Sequence, residues 1–283
     1  MKKIGIICKT GTPEPSEILQ ELLPWLRQKG CETYLDIETA SGLNVEGYHR
    51  SDIPSLSEMI VVLGGDGTML TVCRLVGDKG VPILGVNIGG LGFLTEVHRE
   101  ELYDILDRVL SEGCPVEERI MLTAQVYRKN DCVAEYVVMN DVVVNKGALA
   151  RIMDIETYVN HVYVTTFKAD GAIVATPTGS TAYALSAGGP ILYPTLNCIV
   201  LAPICPHTLT NRPIVLPDDV LIELILRSRT EDVFLTLDGQ VVFPLKVDDT
   251  IKVRKSPFKT RLMTPCGKDY FQILRTKLKW GER

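Results

Sequence analysis

The sequence predicts an α/β domain followed by a β-rich one, and three observations carry that prediction. Strand-length apolar runs alternate with helical patterns over the first third of the chain, which argues for a parallel sheet with helices on its faces. Near residue 115 the helical patterns stop, and runs rich in Val, Thr, Ile and Tyr follow one another with turn residues between them. The chain has 283 residues, 46% hydrophobic and 23% charged, enough for one large domain or two of common size without disulfide staples.

The elements follow in order. KIGIIC (3–8) reads as a buried strand, EPSEILQELLPWLRQKG (14–30) as a helix with a glycine stop, and CETYLDI (31–37) as a second strand. A polar stretch (38–58) leads to MIVVL (59–63), a strand that enters the glycine turn GGDGT. TMLTVCRLVGDKG (68–80) is helical in pattern, VPILGVN (81–87) is a strand, and HREELYDILDRVLSEG (98–113) is an amphipathic helix ending at Gly113. The β-rich part holds 116–129, 132–146, 152–160, 161–178, 198–204, 220–228, 232–240 and 249–255, with one short helix at STAYALSAGG (180–189). YFQILRTKLKWGER (270–283) has helical character. The expected fold is a Rossmann-like α/β domain over 1–115, a β-sandwich-like domain over 116–258 and a C-terminal segment over 259–283.

Composition narrows the function. Net charge is −5 and no basic block occurs, so nucleic acid is not expected as a partner. No stretch reaches the ~18 apolar residues of a membrane span, and the N-terminal apolar run is shorter than a signal-peptide core. The eight cysteines show no C-x-x-C spacing, and several sit in apolar runs; buried reduced thiols are expected. The chain reads as soluble and cytoplasmic.

Two glycine systems carry the chemistry. GGDGT is neither G-x-G-x-x-G nor a P-loop, yet strand, glycines and helix start stand in the order that presents backbone N–H groups to phosphate. Thr68 is placed to cap the following helix, and Asp66 stands between glycines. The second system, DGAIVATPTGSTAYALSAGGPI (170–191), begins at Asp170. There Gly179, Gly188 and Gly189 allow close backbone approach to a ligand, and Ser180 and Thr181 sit where a helix start offers donors. Ser180 lacks the G-x-S-x-G context of a hydrolase nucleophile. Asn140–Asp141 and Asp238–Gly239–Gln240 read singly as turns.

Taken together and in order, GGDGT, Asn140–Asp141, the TPTGSTAY run, PICPHTLTNRPIVL and DGQ resemble the NAD kinases from Asp66 to Gln240. That resemblance implies phosphoryl transfer from ATP, with a divalent cation such as Mg²⁺, to the 2′-hydroxyl of the adenosine ribose of NAD. It makes Asp66 the acceptor of the hydroxyl proton and Gly67 the gap through which the ribose approaches. Asn140 and Asp141 would contact adenine and ribose, the acidic member being Asp where Glu is commoner. Asp170 would serve the nicotinamide end. Thr181, Ala182, Tyr183, Ala184, Leu185 and Ser186 would line the adenine and ribose pocket, with Gln240 a further binding position. Arg151 and Lys168 would face the diphosphate, and Phe93 is a candidate adenine contact. No metal ligand is assigned.

The resemblance further implies an NAD site in the cleft between the domains, a C-terminal segment packed on the first domain, and a homodimer or homotetramer. A concentration of acid follows, since Asp66, Asp141, Asp170 and Asp238 would converge on phosphate-bearing substrates. GGDGT is shared in similar form by diacylglycerol- and sphingosine-type lipid kinases, which supply the alternative enzyme reading. A non-catalytic pyridine-nucleotide-binding regulator is the alternative outside enzymes.

Overall fold

The computed structural model describes residues 2–11, 14–90, 92–147, 152–228, 232–264 and 269–281. They form two compact units, Met1–Glu118 with Thr260–Arg283, and Arg119–Lys259. The first unit contains β1 (Lys3–Cys8), α1 (Glu14–Gln28), β2 (Glu32–Asp36), α2 (Ile37–Ser41), β3 (Gly47–Tyr48) and α3 (Ile53–Leu56). It continues with β4 (Met59–Gly64), α4 (Asp66–Val76), β5 (Ile83–Asn87), β6 (Val97–His98) and α5 (Leu102–Ser111). Its strands pair in parallel in the order β3-β2-β1-β4-β5, with β6 beside β5.

Alternate residues of these strands serve two different layers, so the strands read as continuous apolar runs. Ile4, Ile6, Met59, Val61, Leu63, Leu84 and Val86 face a core completed by α1 and α5, through residues such as Leu19, Leu22, Leu106 and Val109. On the opposite face Gly5 leaves room for Ile53 of α3, and Gly85 for Met69 of α4. A parallel sheet covered on both faces presents its loops at the carboxyl ends of the strands, where ligands of such folds bind.

The polar stretch, to which the sequence assigns no element, holds β3, α3 and all but the first residue of α2. Each is two to five residues long, too short to show a period. They are fixed instead by Asp36, whose carboxylate accepts from Thr39 N at 3.1 Å, and by Ile53 against Gly5. Helix α4 begins at Asp66, with Gly65 as its N-cap and no side-chain cap bond. Thr68 therefore does not cap it; Thr68 lies in the first turn, against the face of Gly64 where a Cβ would meet its Oγ1 at 2.5 Å.

The second unit is β-rich. Its strands are β7 (Val116–Arg128, its first residues in the first unit), β8 (Asp131–Val138), β9 (Asp141–Lys146), β10 (Met153–Val159), β11 (Val162–Ala169) and β12 (Gly171–Ala175). After the short helix α6 (Tyr183–Ser186) come β13 (Cys198–Ile204), β14 (Ile214–Pro217), β15 (Ile222–Leu226), β16 (Val233–Leu237) and β17 (Val241–Pro244). Strand β18 (Thr250–Met263) begins there and ends in the first unit, where Leu262 pairs with Ile83. Helix α7 (Tyr270–Leu278) also belongs to the first unit.

One sheet of the second unit runs β14-β13-β12-β9-β16-β17, antiparallel throughout. The other strands pair as β11-β10-β15-β18, with β7 on β18 and β8 on β7. Val142, Val144, Ala172, Val174 and Leu235 of the first sheet pack with Ile155, Phe167, Leu224, Ile251 and Val253 of the second. Val143, Ile173, Ala175, Val200 and Ala202 instead pack with Ala184 of α6. Both faces of GAIVA are buried, which is why it shows no alternation.

No helix among the described residues is long and apolar enough to cross a membrane. Cys8 and Cys73 are buried free thiols, and burial pushes Cys8 up to about 12. Cys132 and Cys205 are exposed, contrary to the expectation of buried thiols.

Candidate active site

In the first unit the site grows from the register of two neighbouring strands. Gly64, the last residue of β4, stands opposite Asn87, the last of β5, so the loops that follow must meet. Asp66 lies two residues beyond Gly64. Its Oδ2 accepts from Phe93 N at 2.8 Å, and its Oδ1 from Leu94 N at 3.0 Å and from Thr95 N and Oγ1 at 3.3 Å each. The carboxylate is thus gripped by the loop after β5 rather than bare among glycines, as the sequence suggests. Gly92 makes the grip possible, since a Cβ there would stand 2.0 Å from Oδ1.

Asn87, 3% exposed, shapes the same loop. Its Nδ2 donates to Gly90 O at 2.6 Å and to Thr95 Oγ1 at 2.8 Å, and its Oδ1 accepts from Gly89 N at 2.7 Å. Phe93 is half-buried, with Lys277 Nζ 5.6 Å from its ring centroid.

In the second unit a cavity of about 220 Å³ is lined by Asn140, Asp141, Val143, Asn145, Ala182, Tyr183, Thr236, Asp238 and Gly239. Asp141, Val143 and Asn145 alternate along β9 and so share one face, while Val142 and Val144 anchor the strand in the core. The DGQ tripeptide turns the β16–β17 hairpin. Asp238 and Gly239 have φ of 51° and 65°, and Gln240 N donates to Leu237 O at 2.9 Å, the pattern of a type I′ turn.

The Asp238 side chain points inward. It accepts from Met139 N at 3.1 Å, Asn140 N at 2.7 Å and Asp141 N at 3.2 Å, and so sets the Asn140–Asp141 pair in place.

The TPTG segment holds the same pair from behind. Thr176, fully buried, donates from N to Asn140 O at 2.9 Å and from Oγ1 to Met139 O at 2.6 Å. At Gly179 a Cβ would meet Asn140 O at 2.2 Å, and at Gly189 it would meet Ala184 O at 2.8 Å. Close approach at these glycines is to the protein's own backbone. Ser180 is fully buried, donating to Pro177 O at 2.6 Å and accepting from Leu192 N at 2.9 Å. It is neither a nucleophile nor an open donor.

Of the four acids expected to converge, three are offset by partners within their own unit. Asp66 and Asp238 are engaged by amides, and Asp170 stands 3.0 Å from Lys146 Nζ. Asp141 is the exception. It is 4% exposed, and burial, reinforced by the neighbouring Asp238 charge and opposed by a hydrogen bond from the Tyr183 amide, pushes its carboxyl up to about 7. An acid raised on folding makes the native state more stable below its unfolded value near 4 than above 7. Relative to Asp141→Asn, the wild type is therefore expected to lose a few kcal/mol of stability between pH 4 and pH 8, since one unit is about 1.4 kcal/mol; urea midpoints measured across that range check this.

The cavity gathers Asn140, Asp141, Ala182 and Tyr183. Thr181, Leu185, Ser186 and Gln240 do not line it, and Ala184 is buried in the layer behind. Asp170 precedes β12 at the end where Gly171 pairs with Asn145, whereas Asp141 pairs with Ala175. Five residues of strand, about 17 Å, separate the two acids. Lys168 Nζ lies 3.5 Å from Asp154. Gly67, in the first turn of α4, is exposed. Arg151 lies outside the described residues.

Residues 4–114 match the ATP-NAD kinase N-terminal domain, and residues 139–264 the ATP-NAD kinase C-terminal domain. The chain belongs to the ATP-NAD kinase family. The NAD kinases of Geotalea daltonii and Geobacter metallireducens are 53% and 52% identical to it, each alignment covering both chains completely. The crystal structure of yeast NADH kinase complexed with NADH superposes with a TM-score of 0.92 at 26% identity, over 100% of this chain and 89% of the other. An NAD kinase from Archaeoglobus fulgidus in complex with ATP gives 0.78 at 26% identity, covering 98% of each chain.

For this ATP-NAD kinase chain, the lipid-kinase alternative, which shares GGDGT and a two-domain plan, falls with the full-length match. Reading the sequence missed Asn87, Gly92 and Thr95 around Asp66, and Asn145, Thr176 and Thr236 around the cavity. One signal was available for two of them: Thr236 is the polar residue of the otherwise apolar strand VFLTL, Asn145 directly follows the apolar run VVV of β9, and Thr236 Oγ1 donates to Asn145 Oδ1 at 2.9 Å.

Proposed function

We propose that this chain phosphorylates NAD, moving the γ-phosphoryl group of ATP to the 2′-hydroxyl of the adenosine ribose, with Asp66 accepting the hydroxyl proton. An alcohol is a weak nucleophile, and a carboxylate at hydrogen-bond distance orients it and takes its proton as the new O–P bond forms and ADP leaves. The observation that carries the reading is Asp66 itself: an acid held rigidly beyond the ends of two parallel strands, in a chain whose full-length relatives are NAD kinases.

The β9 cavity supports a role as the adenosine pocket. Asn140 Oδ1 is buried without a partner among the described residues, an acceptor suited to the adenine amino group. Asp141 and Asp170, at opposite ends of one strand pair, suit the two ends of an extended dinucleotide. Gly67, Lys168, Arg151 and Gln240 keep the binding roles that the resemblance implies, and of the 181–186 segment Ala182 and Tyr183 keep the pocket-lining role, while Thr181, Ala184, Leu185 and Ser186 would act from outside this cavity.

The divalent cation, Mg²⁺, belongs in this reading with the phosphates of ATP. Among the described residues no cluster of three His, Cys, Asp or Glu side chains fits a resident ion. A cytoplasmic homodimer or homotetramer completes the proposal.

Incubation with ATP, Mg²⁺ and either NAD or diacylglycerol tests the function. NADP must form, and phosphorylated lipid alone would refute the reading. Gly92→Ala probes the placement of the acid. Its Cβ displaces the carboxylate or the loop, and kcat is expected to fall about 10²-fold, the usual cost of an ångström-scale misplacement, while calorimetry shows NAD affinity within a few-fold of wild type.

A further inference from the structure

We infer that Asn87 and Thr95 form a positioning relay that fixes which oxygen of Asp66 is left open for the substrate hydroxyl, an inference that rests on Asp66 being the proton acceptor. The relay is a matter of hydrogen-bond polarity. A threonine hydroxyl has one proton to give. Asn87 Nδ2, a donor only, occupies Thr95 Oγ1 from one side at 2.8 Å. The amide cannot turn over to accept instead, because its Oδ1 holds Gly89 N at 2.7 Å and its Nδ2 also serves Gly90 O at 2.6 Å. The Thr95 proton is thereby committed to Asp66 Oδ1, 3.3 Å away.

Oδ1 then receives that hydroxyl and the Leu94 and Thr95 amides, with Gly92 closing against it. Oδ2 receives only the Phe93 amide, so among the described residues it is the oxygen with acceptor capacity left. Thr95 is fully buried and Asn87 nearly so, which keeps water from substituting for either. No proton travels along the chain Asn87–Thr95–Asp66. The chain holds the carboxylate in one rotation, with Oδ2 as the proton-accepting atom.

The test is steady-state kinetics, with NAD affinity by calorimetry and folding by urea titration, on Thr95→Val, Thr95→Ser, Asn87→Asp and the double variant Thr95→Val with Asn87→Asp. Thr95→Val keeps the shape and loses the hydroxyl; kcat is expected to fall about 10- to 100-fold with KM for NAD within about threefold. Thr95→Ser restores kcat to within about threefold of wild type. Asn87→Asp turns the Thr95 proton away from Asp66 and matches Thr95→Val. The double variant falls no further than either single change, because both break one chain.

Wild-type kcat in Thr95→Val, equal losses in Thr95→Val and Thr95→Ser, or multiplying losses in the double variant would overturn the relay. Should Thr95→Val fail to fold, Asn87→Asp decides alone: an unchanged kcat overturns the relay. Asp66→Asn, run in parallel, separates the two levels. If it is inactive while Thr95→Val runs at full rate, the relay is wrong and the role of Asp66 stands; if it is active, the role of Asp66 falls and the relay with it.

Discussion

Asp66→Asn is expected to lower kcat by about 10²- to 10⁴-fold, the range general-base catalysis supplies, while NAD affinity stays within a few-fold. The amide preserves the shape of the carboxylate and most of its contacts with Phe93, Leu94 and Thr95, but cannot take a proton from a hydroxyl at neutral pH. One of its terminal atoms becomes a donor facing a loop N–H, which costs about 1–3 kcal/mol of stability. Urea unfolding alongside kinetics separates that cost from the chemistry. Equal loss of binding and turnover would show that Asp66 holds substrate instead of activating it. Undiminished NADP formation would remove it from the reaction.

Asp238→Ala is expected to do the opposite, acting on folding and binding before chemistry. Its carboxylate is the acceptor for three consecutive backbone N–H groups, those of Met139, Asn140 and Asp141, and both Met139 and Asp141 are buried. Each buried donor left without an acceptor costs about 1–3 kcal/mol, so with two such donors the unfolding free energy should fall by roughly 2–6 kcal/mol at full additivity. Partial relaxation of the hairpin would reduce the loss. The released segment carries Asn140 and Asp141, and KM for NAD should rise at least about tenfold, a loss of about 1.4 kcal/mol or more. Asp238→Asn keeps one acceptor oxygen and tolerates the left-handed φ of 51°; its stability should lie between wild type and Asp238→Ala. Wild-type stability in Asp238→Ala would contradict the role assigned to its three hydrogen bonds.

The contrast between these two aspartates shows what the sequence could reveal. GGDGT announced a strand–turn–helix corner because glycines and an apolar run leave a local signature, and the β-strands of the second unit announced themselves by composition. CIVLAPI stands where it was expected, as β13. The direction of a side chain leaves no such trace. Asp66 looked exposed because its neighbours in sequence are small, yet its partners lie 27 to 29 residues away and come together only through the pairing of β4 with β5.

Asp238 looked like one more ligand-facing acid, and it is the bracket for the Asn140–Asp141 pair. The glycines of TPTGSTAY and SAGG read as room for a ligand, whereas Gly179 and Gly189 make room for Asn140 and Ala184. Elements α2, β3 and α3 went unseen for a different reason, being shorter than the period by which helices and strands are recognised. Arrangement across strands, not local propensity, decides these cases.

A crystal structure of the chain with NAD bound tests the central claim most directly. The account predicts the 2′-oxygen of the adenosine ribose within about 3 Å of Asp66 Oδ2, the reach of a proton-accepting base, with Oδ1 still bound to Leu94 N and Thr95. A 2′-oxygen out of hydrogen-bond reach of both Asp66 oxygens, with the ribose ordered, would contradict it.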